Sequence, residues 1–358
     1  MSDSTSSIFK EVDGLRYHLE QRENNGIDDE FPKTRVNYTK IFQQVEDYLN
    51  KNVHPEVVTG AALQEDGLIN DHGKEHVEMV IQRSGLLLGN RIKDLKGFEI
   101  FLLLLAIHFH DVGNIYGREK HEERILDVMD ALGPILPFDY ASKRHIVQIV
   151  NSHGGMIDGC KDTIAALNET EYLLGIEIRP ALIASILRYA DEISDDYTRA
   201  ACFLYDAKKV PPENQVFHDY SKCLQPAVVN GNTLILKFDI PYELAVTESS
   251  KLDINVECRW CRLFLYDEIL NRLKKCLCEL EYCRKYSQGF IIIASIQADI
   301  AVFQPNMLSV IHKDSIRLRL SGYPEILKND IDKRFEATLQ VKNGREMKEL
   351  VEKNLKRG

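Results

Sequence analysis

The sequence predicts a mainly α protein, with a helical first half followed by a smaller α+β part. Three observations carry this. Apolar residues recur at helical spacing from about residue 39 to about residue 194. Glycines and prolines fall between those stretches, where helices end. After about residue 200 the pattern changes to short β-branched and apolar runs around Asn230-Gly231, a two-residue hairpin signal. The expected division is a polar arm over 1–35, a helical domain over 36–205 and an α+β domain over 206–358.

The elements follow in order. Ile41, Phe42, Val45 and Leu49 mark a first helix, which His54-Pro55 breaks. Helical patterns then cover Asn70–Leu88, Lys96–Asp111, His121–Leu132, Ala141–Ser152, Asp162–Leu167 and Pro180–Ser194. Gly113, Gly133-Pro134 and Gly154-Gly155 separate several of them. In the second half, Ser221–Val229 and Thr233–Ile240 read as strands and Glu257–Tyr286 as a long helix. Phe290–Ile296 and Phe335–Val341 read as further strands, and Arg345–Leu355 as a closing helix. A small mixed or antiparallel sheet with helices on one face accommodates this set.

Composition excludes some functions and disfavours others. The 358 residues are 44% hydrophobic and 28% charged, too apolar for a wholly disordered chain. Lys plus Arg number 45 against 55 Asp plus Glu, a net charge of −10, which disfavours nucleic acid and anionic membrane as partners. Residues 1–200 hold 21 basic and 34 acidic residues, so the acidity is concentrated there and the second half is left slightly basic. The apolar run Phe98–Phe109, broken by Glu99 and His108, is short of the ~20 residues of a membrane span. Met1–Ser7 is polar with no apolar signal region, so the eight cysteines are expected reduced, in a cytoplasmic protein.

Seven of the eleven histidines fall between residues 72 and 153. His72 and His76 share a helical face at i and i+4. His108 and His110 end an apolar helix, and His110 is followed directly by Asp111. His121 opens the next helix, His153 ends another, and Asp191 is a carboxylate on an otherwise apolar helical face. Any one of these, such as His108 or His145, is more often a satisfied core or surface histidine. The ordered set His76, His110-Asp111, His121, His153, Asp191 is different. Imidazole and carboxylate hold divalent first-row metals while leaving positions open for water, and facing helices can each project one ligand inward.

The order His…His-Asp…His…His…Asp, with "HVEMV", "LLLAIHFHDVGN" and "LRYADEISDD", closely resembles the HD-domain metal-dependent phosphohydrolase superfamily over residues 65–200. The resemblance implies an all-helical bundle with metal held by His76, His110, Asp111 and Asp191. Asp111 would also serve in catalysis, and in subfamilies with two metals His121 and His153 stand where the extra ligands lie. Two departures matter. Asn114 stands where many HD proteins have a lysine, and His153 is followed by "GGMIDGC" rather than the Gly-Tyr-Pro motif of HD-GYP phosphodiesterases. Gly322-Tyr323-Pro324 lies too far along the chain for that role and reads as a turn. The pattern looks more like HD proteins of bacterial conflict and signalling systems.

The resemblance implies hydrolysis of a phosphate ester or anhydride in a small phosphorylated substrate, a nucleotide first of all. It would need one or two divalent ions, with Mn, Fe, Mg, Ni, Co and Zn not distinguished. His72 is a candidate for contact with substrate or leaving group. Arg188 leads Lys74, Arg118 and Lys120 as a phosphate contact, because its fork is bidentate. Asp195 and Asp196 read as helix-end surface charges. Cys258 and Cys261, with Cys276, Cys278 and Cys283 on the long helix, read as small core or interface residues rather than a zinc site. That helix is apolar on more than one face, so a sheet or a second copy of the chain covers it. Three rivals differ by assay: a nuclease cutting single-stranded nucleic acid, a non-catalytic nucleotide-sensing module, and an oxygen-consuming di-iron enzyme.

Overall fold

A computed structural model of the chain describes residues 10, 14–26, 29–33, 36–57, 73–116, 124–154, 160–195, 212–253, 259–306, 309–320, 333 and 335–356. It is mainly helical, with a smaller α+β part. Two compact units divide the described residues: 10–57, 73–194 and 282–292 in the first, 195–281 and 293–356 in the second.

The first unit is built from α1 (Leu15–Asn25), α2 (Tyr38–Asn52), α3 (Lys74–Leu88), α4 (Gly97–Phe109), α5 (Ile125–Ala131), α6 (Tyr140–Asn151) and α7 (Pro180–Glu192). Local chemistry sets several ends. The Asn37 side chain accepts from Lys40 N at α2, and Asp139 accepts from Ser142 N at α6. Helix α4 is apolar on every side, and all thirteen of its residues are buried. It packs against α1, α2, α3, α6 and α7, so it is the core helix of the unit. The stretch Gly97–Ile115 is long and apolar enough to cross a membrane by length and composition, but 89% of its apolar window is buried, as in a core helix.

The second unit holds α8 (Gln215–Cys223), β3 (Val228–Asn230), β4 (Thr233–Pro241), α9 (Tyr242–Val246), β5 (Glu248–Asp253), β6 (Arg259–Phe264), all but the last turn of α10 (Leu265–Tyr286), β7 (Ser295–Phe303), β8 (Val310–Arg319) and α11 (Gly344–Leu355). The sheet order is β3-β4-β7-β8, with β4 and β7 parallel and the other pairs antiparallel. Burial alternates along β4 and β7, so one face of the sheet is core. Leu270, Leu273, Leu277 and Leu280 of α10 are buried together with Cys276 and Cys283, which therefore serve as small packing residues. Cys258 lies outside the described residues.

Several elements differ from expectation. Residues 259–264 pair with β5 instead of opening the long helix, and α10 starts where Asp267 Oδ2 accepts Phe264 N at 2.9 Å. Helix α8 runs to Cys223, leaving only Val228–Asn230 as strand. Asn230 pairs with Thr233, so Gly231 and Asn232 form the turn. Phe290 is not in a strand; Arg91 and Arg179 stack on its ring at 4.5 and 4.8 Å, and β7 begins at Ser295. Residues 335–338 are helical, and Asp162–Leu167 contains only a short 3-10 turn. The first unit also contains an unexpected hairpin, β1 (Glu171–Leu173) with β2 (Ile176–Ile178), which turns at Leu174-Gly175 with φ of 51° and 83°. A leucine in a left-handed turn position is an unusual choice, and it hides the turn from sequence.

Candidate metal centre

Four elements of the first unit bring their ends together. His76 is the third residue of α3 and is buried. His110 caps the C-terminus of α4, and Asp111 begins the turn that follows. Asp191 lies in the last turn of α7, and His153 follows the end of α6. His76 Nε2 stands 3.1 Å from His110 Nε2, 3.1 Å from Asp191 Oδ1 and 3.7 Å from Asp111 Oδ2. His110 Nε2 stands 3.2 Å from Asp111 Oδ2 and 3.8 Å from Asp191 Oδ1.

Backbone and side-chain partners orient His110, His153 and Asp111 toward the shared point. His110 Nδ1 donates to Ile107 O at 2.7 Å, and His153 Nδ1 donates to Val150 O at 2.5 Å. A carbonyl can only accept, so the neutral rings carry their lone pairs on Nε2. Asn114 Nδ2 donates to Asp111 Oδ1 at 3.2 Å and leaves Oδ2 for the cluster. The ring centroids of His110 and His153 are 5.2 Å apart, nearly perpendicular.

The electrostatics fit a cation. Burial pushes His110 down, but Asp111 and then Asp191 more than reverse it, raising the imidazole to about 9. Burial pushes Asp191 up, yet its hydrogen bond to His76 and the charge of His110 hold it well below the usual carboxylate range. Burial and His110 lower His153. Ligands bound at roughly 2.1 Å stand about 3.0–3.4 Å apart in octahedral or tetrahedral geometry, close to the spacings found here. Among the described residues, His76, His110 and Asp111 form the group that could hold a metal ion.

The other predicted residues are placed as follows. His72, Arg118, Lys120, His121 and Asp196 lie outside the described residues. Lys74 is exposed. Arg188 is buried one turn before Asp191, donates to Thr163 Oγ1 at 2.9 Å and stacks on the Tyr282 ring at 4.5 Å. His145 pairs with Glu171 at 3.0 Å. Asp195 is not a surface charge: it is buried and paired with Arg272 at 2.6 Å, because a carboxylate entering the core needs a partner. In the sequence Asn114 stands out only as a departure from lysine. Its place three residues after Asp111, in the next turn, is the signal that could have marked it as the partner of Asp111.

A family model described as HD-CE matches residues 61–274, more than half of the chain. The chain belongs to the HD-CE family. The HD-CE match takes in His76, His110, Asp111, His153 and Asp191, then runs on into α10. HD-CE membership and the His/Asp cluster agree in pointing to an HD-type site. Comparisons with curated proteins and with solved structures find no match.

Proposed function

We propose that this HD-CE protein is a metal-dependent phosphohydrolase that cleaves a phosphate ester or anhydride in a small substrate, a nucleotide first of all. The observation that carries this reading is that His76 and His110 Nε2, 3.1 Å apart, each stand 3.1–3.8 Å from one oxygen of Asp111 and one of Asp191 in an HD-CE chain. His76, His110, Asp111 and Asp191 would hold one divalent ion; His153, with His121, would hold a second. An ion so held lowers the pKa of bound water and polarises phosphoryl oxygens.

The chain's own groups prepare that site. Ile107 O and Val150 O fix the tautomers of His110 and His153, and Asn114 turns Asp111 toward the cluster. Arg188 is held by Thr163 and Tyr282, so its guanidinium is oriented before substrate arrives and is the proposed phosphate contact. His72, four residues before His76, is proposed on sequence alone to meet the leaving group. The reading takes one or two ions from among Mn, Fe, Mg, Ni, Co and Zn, in a cytoplasmic setting.

The test is a screen of nucleoside triphosphates, cyclic nucleotides, single-stranded DNA and RNA with Mn, Mg, Ni, Co, Fe and Zn, products being identified by mass. Metal-dependent turnover of a small phosphorylated compound, lost in the His110→Ala/Asp111→Ala variant, is the expected result. Cleavage of nucleic acid alone would replace it with the nuclease reading. Tight nucleotide binding with no turnover would replace it with the sensing module. Purified protein that binds no divalent ion would sink all the metal readings together.

A further inference from the structure

Helix α4 carries His110 and Asp111 at its end, yet its walls are almost wholly apolar. Apolar packing is permissive about small rotations and slides. Two buried polar contacts remove that freedom. At the start of α4, the fully buried Glu99 accepts Arg179 Nε at 2.8 Å, Arg179 Nη2 at 2.6 Å, and the backbone N–H groups of Arg179 and Lys96. This ties α4 to the start of α7, the helix of Asp191. At the other end, the buried His108 lies between two groups. Its Nε2 is 3.3 Å from Glu46 Oε1 on α2, and its Nδ1 is 3.3 Å from His54 Nε2. Glu46 is in turn clamped by Arg16 through Nε at 3.0 Å and Nη2 at 2.5 Å, and Arg16 also holds Glu78 on α3.

We propose that His54 is a positioning residue for the metal centre: with His108 it ties the end of α4 that carries His110 and Asp111 to Glu46 on α2. The chemistry of the string is consistent along its length. His108 Nε2 stands at ion-pair distance from Glu46 without a hydrogen bond aligned on it, and a proton on that nitrogen leaves Nδ1 as the acceptor for His54 Nε2–H. His54 is 1% exposed, in the helical turn after α2. Its partner His108 lies two residues before His110 on the same helix, so the contact bears on the centre through the end of α4. Arg16, on α1, extends the string to the partly exposed Glu78 on α3, so α1, α2, α3 and α4 share one polar frame.

The inference rests on the metal-centre reading, and the experiment separates the two. Mn2+ titration by calorimetry on the full chain, with the visible spectrum of the Co2+ form, compares wild type with His54→Phe, His54→Gln and Glu46→Met. Outer groups that orient metal ligands are worth roughly 10–100-fold in affinity. His54→Phe and Glu46→Met are expected to weaken Mn2+ by that factor and to shift the Co2+ bands. His54→Gln, whose amide N–H can still reach His108 Nδ1, is expected within a few-fold of wild type. A wild type that binds neither ion overturns the metal-centre reading itself. A wild type that binds, beside folded His54→Phe or Glu46→Met proteins with unchanged affinity and spectrum, overturns the role of His54. If His54→Phe fails to fold, Glu46→Met decides on the same readouts.

Discussion

His110 is protonated in the folded, metal-free protein because two carboxylates outweigh its burial. Its folded pKa is raised from 6.5 to about 9. The stabilisation from that proton is therefore fully present below about 6.5 and lost as pH rises through about 9. A metal ion needs the same nitrogen bare, so ion and proton compete. Metal binding near pH 7.5 is expected to release about one proton per ion and to tighten as pH rises toward 9. Calorimetry in two buffers of different ionisation enthalpy measures this, and zero proton release would show that His110 is not a ligand. Arg179 is a second residue whose loss is predictable. Arg179→Met leaves Glu99 as a fully buried carboxylate with only backbone partners, an expected loss of about 3–5 kcal/mol in denaturant unfolding. A loss under about 1 kcal/mol would show that water reaches Glu99.

At the scale of elements, what sequence reveals depends on whether the cause is local. The spacing of His76, His110-Asp111 and Asp191 is visible because each sits at a helix end that apolar periodicity predicts. The segment 259–264 deceived for the opposite reason: its strand state is decided by pairing with β5, from Glu248↔Phe264 to Asp253↔Arg259. The partners of the site were equally hidden. Glu46, His54 and His108 meet across up to 62 residues of sequence, and no local pattern distinguishes them from core histidines and a surface carboxylate. Gly97 shows a similar dependence on distant packing. At the start of α4, a Cβ on Gly97 would run into the Phe31 ring, with Arg22 Cβ at 3.1 Å behind it. Phe31 is itself stacked on Tyr38 at 5.4 Å and has little room to yield. Gly97→Ala is expected to cost about 1–3 kcal/mol despite the better helix propensity of alanine, read as a lower Tm. An unchanged or raised Tm would mean that Phe31 moves aside freely.

For the molecule as a whole, net charge counts the ionisable groups but does not say how stability responds to pH. The sequence shows −10 with its acidity in residues 1–200, and a first guess would make acid stabilising by relieving repulsion. The buried groups argue the reverse. Burial and neighbouring histidines push His54 down from 6.5 to about 3, and burial and His110 lower His153. Burial raises Glu46, but His108 and Arg16 lower it more. For a group whose folded pKa is depressed, the stabilisation is complete above the unfolded pKa and disappears as pH falls toward the folded one. Below about 6.5 the unfolded chain takes up protons at these imidazoles while the folded one does not. Chelated protein should therefore begin to lose stability as pH drops from about 6.5, well before ordinary carboxylates titrate. His54 alone accounts for at most on the order of 4 kcal/mol by pH 3. His54→Gln removes that titration, so its Tm should fall less steeply than wild type between pH 6.5 and pH 4.5. Parallel Tm-against-pH curves for the two proteins would show that His54 takes up its proton in the folded state as readily as in the unfolded one.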